Sequence, residues 1–490
     1  MQFERSSGIL LHITSLPSNY GIGSLGKEAF NFVDFLADSG QKLWQILPLE
    51  PTGYGNSPYQ TYSAFAGDPI LIDLDNLVEK QLLKPQELEN NVQFNIEKVE
   101  YNEVRKFKEK ILQIAFRSFD LESRDYIEFK KQRSFWLDDY ALFMSLKDYF
   151  GQKAWSNWDE KIKLRSSKAK KNYEKLLNKK IEYIKFCQFI FFGQWFALKN
   201  YAKEKAIKII GDCPIFVAHD SSDVWSNPEI FQLDENHYPT KIAGVPPDYF
   251  SKTGQLWGNP LYDWQVMEKN NFKWWRRRFK EKLEQFDILR VDHFRGFESY
   301  WAVPVKQKTA VNGEWEKAPG EKMFSKVCGD LGELPIIAED LGMITEKVIE
   351  LRDKFEFPGM KILQFAFDSD LSNDYLPHNY PENCVVYTGT HDNETTLGWF
   401  KNSPSKRKNF LQEYLQHEIS DVCWDMISLA YDSKADMVII PMQDILGLDN
   451  SARMNTPGKT EDNWQWRMRS EQLSEQISHK LKLVKKNIDR

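Results

Sequence analysis

The chain has 490 residues, 41% hydrophobic and 28% charged, which is ordinary usage for a globular protein long enough to bury a large core without crosslinks. Its formal net charge of −6 argues against nucleic acid as the main partner, because phosphate recognition needs a basic surface. Aromatic residues reach 14%, with 33 Phe, 20 Tyr and 16 Trp, so the chain has either an aromatic-rich core or walls for a flat-faced ligand such as a sugar or base.

The N-terminus, MQFERSSGILLHI, carries an early acidic residue and only a short apolar run, unlike a signal peptide. Aliphatic or β-branched runs then recur at 8–17, 42–51, 206–217, 286–296, 334–342, 360–367, 384–393 and 436–447, each ending in polar or Gly-rich text. Continuous apolar runs mark parallel strands buried on both faces. Amphipathic helical text follows the first run (25–40) and the fifth (345–355). The pattern predicts an α/β protein, a (β/α)8 TIM barrel spanning 1–490. A doubly wound open sheet is the alternative, but it wants a Gly-rich phosphate loop, and GYGNS (53–57) lacks the helix that should follow.

Surplus chain falls between strands. Residues 52–205 read as an inserted, mainly helical subdomain, and 218–285 as a loop-rich insertion carrying an active-site lid. No C-terminal β-sandwich is expected after the eighth run, only a charged helix. The apolar window Phe186 to Leu198 is short and holds two Gln, so it reads as a buried helix rather than a membrane span. The stretch 161–180 carries nine Lys or Arg against one Glu. It is either a solvated helical face or a polyanion patch, and only Tyr173 is there to stack on a base. Cys187, Cys213, Cys328, Cys384 and Cys423 lie far apart, which points to reduced thiols in a cytoplasmic protein.

Barrel chemistry sits at the C-terminal ends of strands. The third run supplies Asp212, the fourth Arg290, Asp292 and His293, the fifth Glu339 and Asp340, and the seventh His391 and Asp392. A single strand-end Asp is usually a helix cap, but a set of acids in apolar strands, with Arg and His interleaved, points to catalysis. A metal centre is the rival chemistry. It would want closely spaced histidines, whereas His12 is alone on the first run, so no metal or other cofactor is expected.

RVDHFRG (290–296), AEDLG (338–342) and GTHDN (389–393) resemble the fourth, fifth and seventh strand motifs of the amylomaltases, the 4-α-glucanotransferases of glycoside hydrolase family 77 within the α-amylase superfamily. GDCPIFV (211–217), TGYGNSPYQTYSAFAG (52–67) and GVPPDYFSKTGQLWGNPLY (244–262) are similar to further amylomaltase segments, so the resemblance covers essentially the whole chain. The chain departs from it at Cys213-Pro214 and Ala218-His219-Asp220, where family members vary.

The resemblance implies transfer of an α-1,4-glucan segment to another glucan or glucose by a retaining double displacement. Asp292 is then the nucleophile, held ionised by Arg290. Glu339 is the acid and base, its proton affinity raised by burial and by Asp292, and the two carboxyls lie about 5–5.5 Å apart as retention requires. Asp392 completes the catalytic trio. Tyr59, Asp212, Arg290, His293 and His391 are expected to bind the scissile glucose, and Asp248, Phe250 and Trp257 to form the lid over the acceptor. Tyr54 and Tyr101 match a second glucan site. The expected partners are α-1,4-glucans and maltooligosaccharides, with no nucleic acid or membrane, and the chain is expected to be a monomer or weak homo-oligomer. An α-glucan hydrolase with the same trio, and an inactive glucan-binding protein, are the competing functions.

Overall fold

The computed structural model describes residues 3–89, 92–247 and 251–486. Eight short parallel strands form its centre: β1 (Ser6–Leu10), β2 (Leu43–Gln45), β3 (Lys208–Cys213), β4 (Ile288–Val291), β5 (Ile336–Ala338), β6 (Gly359–Ile362), β7 (Cys384–Tyr387) and β8 (Met437–Pro441). Each overlaps one of the eight predicted runs. Their order is β6-β7-β8-β1-β2-β3-β4-β5, so every strand lies beside its sequence neighbour and β1 pairs with β8. Across the remaining seam, Ala338 N donates to Pro358 O at 2.9 Å and Met360 N to Asp340 Oδ1 at 2.7 Å. The sheet is a (β/α)8 barrel.

Nearly every strand residue is buried, as the apolar runs require, because helices cover the outer face and side chains fill the inner one. Gly211 shows how tightly the layers meet: a Cβ there would sit 2.3 Å from the Phe286 ring. The strands occupy only part of each run. The C-terminal part of most runs leaves the sheet as short helices and loops over the barrel mouth.

Between β2 and β3 the chain is mainly helical, with long helices at Tyr101–Arg117, Arg124–Tyr149 and Asn178–Glu204. The window 186–198 lies inside the last of these and is largely buried. No described helix is long and apolar enough to cross a membrane. The same helix also serves the barrel, since Tyr201 donates to Asp34 on the helix Lys27–Asp38 and Trp195 Nε1 donates to Gln285 O. In the basic stretch, Arg165 and Lys170 share Asp139, and Lys180 meets Glu109 and Asp148.

The segment read as loop-rich contains more order than its sequence suggests. Lys241–Val245 and Gln255–Pro260 pair antiparallel and join Ser299–Pro304 and Glu314–Lys317 in a second, four-stranded sheet. Gly and Pro in KIAGV and QLWGNP, and a register shift between Ile242 and Gly244, hide the alternation that marks a strand. Lys273–Gln285 is a helix leading directly into β4. After β8 the described residues form no further strand, only helices, loops and an isolated bridge between Trp466 and Lys98.

Candidate active site

Strand position brings the predicted residues of β3 and β4 together. Arg290 and Asp292 are two apart, so they point to the same side of the ladder. Arg290 Nη2 donates to Asp292 Oδ1 at 3.0 Å, while Nη1 donates to Asp212 Oδ2 at 2.6 Å. The Tyr59 hydroxyl gives the same Asp212 oxygen a second hydrogen bond, at 2.6 Å. The main chain turns sharply here, and His293 holds a left-handed conformation with φ of 51°. That turn lets the His293 amide donate to Glu339 Oε2 at 2.7 Å. The Leu341 amide reaches Glu339 Oε1 at 2.9 Å, so two backbone donors fix the carboxyl beyond β5. Asp340, its neighbour, faces away and is neutralised by Arg352 at 2.5 Å.

Burial governs the electrostatics. It raises the proton affinity of both Asp292 and Glu339, and each is opposed by Arg290. The ion pair expected between Arg290 and Asp292 is present, but it does not hold the Asp292 pKa low. Burial is the larger effect, and the charges of Asp212, Glu339 and Asp392 add to it. His293 is pushed down to about 3 by burial and by Arg295, and burial also lowers His391. Both rings are therefore neutral near pH 7. Asp212 Oδ1 and His293 Nε2 are buried without a hydrogen-bond partner among the described residues.

Beyond β7, His391 stacks on Tyr59 with centroids 5.3 Å apart and planes 15° from parallel, and its Nε2 lies 3.4 Å from Asp392 Oδ1. Trp257 sets its ring edge-on to His293 at 4.7 Å. Asp248 and Phe250 lie outside the described residues. Tyr54 is 76% exposed on a short turn. Tyr101, by contrast, is only 7% exposed, with its hydroxyl donating to Trp464 O at 2.7 Å. That hydrogen bond ties the helix Tyr101–Arg117 to the C-terminal loop.

Residues 11–473 match the family profile described as 4-alpha-glucanotransferase. The chain belongs to the 4-alpha-glucanotransferase family. It is 50% identical over 490 residues to the 4-alpha-glucanotransferase of Synechocystis sp., covering 98% of this chain and 97% of that protein. To the Thermus thermophilus 4-alpha-glucanotransferase it is 47% identical, with 100% of both chains covered. Among solved structures, the amylomaltase from Streptococcus agalactiae in complex with acarbose superposes with a TM-score of 0.97 at 41% identity, over 99% of this chain and 100% of that one. The amylomaltase from Corynebacterium glutamicum, at 16% identity and a TM-score of 0.81 over 98% of this chain and 75% of its own, shares the fold.

In this 4-alpha-glucanotransferase family member the mouth has a further wall that the motifs do not include. Asn455 Nδ2 donates to Asp392 Oδ1 at 2.6 Å, and Arg453 Nη2 donates to Asp392 O at 2.6 Å. Trp464, in a left-handed conformation, sets its ring 5.9 Å from both Tyr59 and His391. The loop carrying all three is tied down by Met468 N to Ser15 O and by Arg467 Nη1 to Asn95 O. Its sequence signal is an Asn-Trp-Gln-Trp-Arg cluster with no periodicity.

Proposed function

We propose that the chain transfers a segment of an α-1,4-glucan to the 4-hydroxyl of another glucan or of glucose, with retention at the anomeric carbon. The observation that carries this reading is the buried chain Asp212–Arg290–Asp292 with Glu339 fixed beside it by two amides. Asp292 attacks the anomeric carbon and the glycosidic C–O bond breaks. Glu339 gives its proton to the departing oxygen, leaving a covalent glucosyl–enzyme intermediate. An acceptor 4-hydroxyl then attacks the same carbon, Glu339 takes its proton, and the ester to Asp292 breaks.

This cycle needs a single proton on the acid pair, residing on Glu339. Arg290 favours that arrangement because it touches Asp292 directly, whereas among the described residues the Glu339 carboxyl accepts from two neutral amides. Asp392, Asp212, His293 and His391 hold the hydroxyls of the scissile sugar, and the unpaired Asp212 Oδ1 and His293 Nε2 supply unused hydrogen-bonding capacity for them. Tyr59 and Trp257 offer apolar ring surface to the sugar. Asp248 and Phe250 keep the lid role given by the 244–262 motif, which favours transfer by excluding water and aligning an acceptor. Tyr54 remains the candidate for a remote glucan contact. The five cysteines form no disulfide, which fits a reducing, cytoplasmic setting.

Products from maltotriose test the reading. A transferase yields glucose together with oligomers longer than the substrate; release of glucose and maltose alone would make the enzyme a hydrolase. Asp292→Asn should abolish turnover, and retention of activity within about tenfold removes it as nucleophile. Glu339→Gln should be nearly inactive on maltotriose yet accumulate a covalent adduct with a glucosyl fluoride, whose leaving group needs no acid.

A further inference from the structure

We infer a second carbohydrate-binding pocket outside the catalytic mouth, where the helical insertion meets the loops that follow β2 and β3. A cavity of about 280 Å³ opens there, walled by Phe65, Phe135, Trp136 and Trp274. Phe65 lies nearly parallel to Trp136 with centroids 6.4 Å apart, and Trp274 meets Phe65 edge-on at 6.0 Å. The floor is polar. Asp223 is 3% exposed and accepts from the Ala64 amide at 2.8 Å, with Ser222 and Asn227 beside it. The rim carries Glu229, Lys273 and Arg277, and the Arg277 guanidinium sits 5.1 Å over the Phe135 ring. None of these residues belongs to the Asp292 cluster.

The lining selects the ligand class. An anion meets the buried Asp223 carboxyl, and Glu229 offsets part of the positive rim. A cation meets Lys273 and Arg277. A wholly apolar ligand would strip water from Asp223 and Asn227 without replacing its hydrogen bonds. A neutral molecule with apolar faces and hydroxyl edges satisfies both the rings and the floor. The volume lies just below the roughly 300–1,000 Å³ of drug-sized ligand sites, which suits only the end of a maltooligosaccharide. The glucan identity rests on the proposed function. The floor is also bonded to the segment that carries Tyr59: Ser222 N donates to Tyr62 O at 2.8 Å, next to the Ala64 contact. A glucan held here is therefore anchored two hydrogen bonds away from the loop that presents Tyr59.

Calorimetric titration with maltotriose, using Asp292→Asn protein to prevent turnover, tests the site. Adding Ser226→Trp, which sends an indole from the pocket lining into the cavity, should remove one glucan equivalent per chain and leave binding at the mouth unchanged. Phe135→Ala, which opens a half-buried wall with little risk to folding, should weaken the same equivalent about tenfold or more. The proposal is overturned if neither variant alters the stoichiometry or the affinity. If the mouth equivalent is also missing in the Asp292→Asn parent, the glucan reading itself falls; if it is present and the pocket equivalent alone is missing, only the second site does.

Discussion

Two charge arrangements in this barrel, one buried and one at the mouth, differ in how completely they are neutralised. Behind β3, Lys282 pairs with Glu50, both side chains at most 3% exposed, one cation to one acid. At the mouth, Arg290 serves Asp212 and Asp292 at once, and Glu339 and Asp392 have no Lys or Arg side chain paired with theirs among the described residues. Glu339 is held by amides and Asp392 by the Asn455 amide and a neutral His391. The first arrangement is a closed pair that holds secondary structure in place. The second retains excess negative charge, which burial converts into raised proton affinity on the acid pair. The proposed cycle, which keeps one proton and one anion side by side, needs that incomplete neutralisation.

The largest effect should come from removing the cation that pairs with both Asp212 and Asp292. Arg290→Gln takes away the charge that opposes protonation of Asp292, so Asp292 accepts its proton at higher pH. The acidic limb of the kcat/KM profile should move upward, and turnover near neutral pH should fall on the order of 1,000-fold or more. The profile reports the pair rather than either residue. An unmoved acidic limb would show that Arg290 does not set the ionisation of Asp292.

The closed pair predicts a loss of stability with no loss of chemistry. Lys282→Met leaves Glu50 buried and uncompensated, and should cost about 3–5 kcal/mol in denaturant unfolding. The double variant Lys282→Met with Glu50→Leu should recover most of that, since two apolar groups need no countercharge. Both proteins, where folded, should keep the wild-type kcat. A matching drop in kcat would mean that this pair is part of the catalytic electrostatics.

The contrast also divides what the sequence reveals from what it hides. Asp292, Glu339 and Asp392 could be found because a strand-end position is a local property, set by a few residues on either side. The two-residue spacing of Arg290 and Asp292 even implies their pairing. The net direction at Asp292 could not be found that way, because it depends on burial by distant elements and on acids from three other strands or loops. Tyr101 shows the converse: a motif match could not reveal that its hydroxyl is taken up by Trp464 O, far along the chain. The aromatic surplus divides in the same manner. Tyr59 and Trp257 reach the mouth, while Phe119, Phe129, Phe189 and Phe192 pack against one another between the long inserted helices.

Asn455 gives the smallest effect and the sharpest test of the incomplete neutralisation. It lies 63 residues beyond Asp392 in an aperiodic loop, and its amide grips the carboxylate at 2.6 Å without adding charge. Asn455→Ala frees the Asp392 side chain and loses one charge-assisted hydrogen bond, worth about 1.5–3 kcal/mol, so kcat/KM should fall roughly 10–100-fold. Asp392 is 45% exposed at its side chain, so the released carboxylate is resolvated and global stability should change by less than about 1 kcal/mol. Because Asp392 is proposed to favour the distorted sugar, the loss should fall mainly on kcat, with KM little changed. Asn455→Asp keeps the shape but sets a second anion against the first, and should lose more than Asn455→Ala. If the two variants are equally impaired, shape alone matters at this position, and the neutral character of the partner is not what the mouth requires.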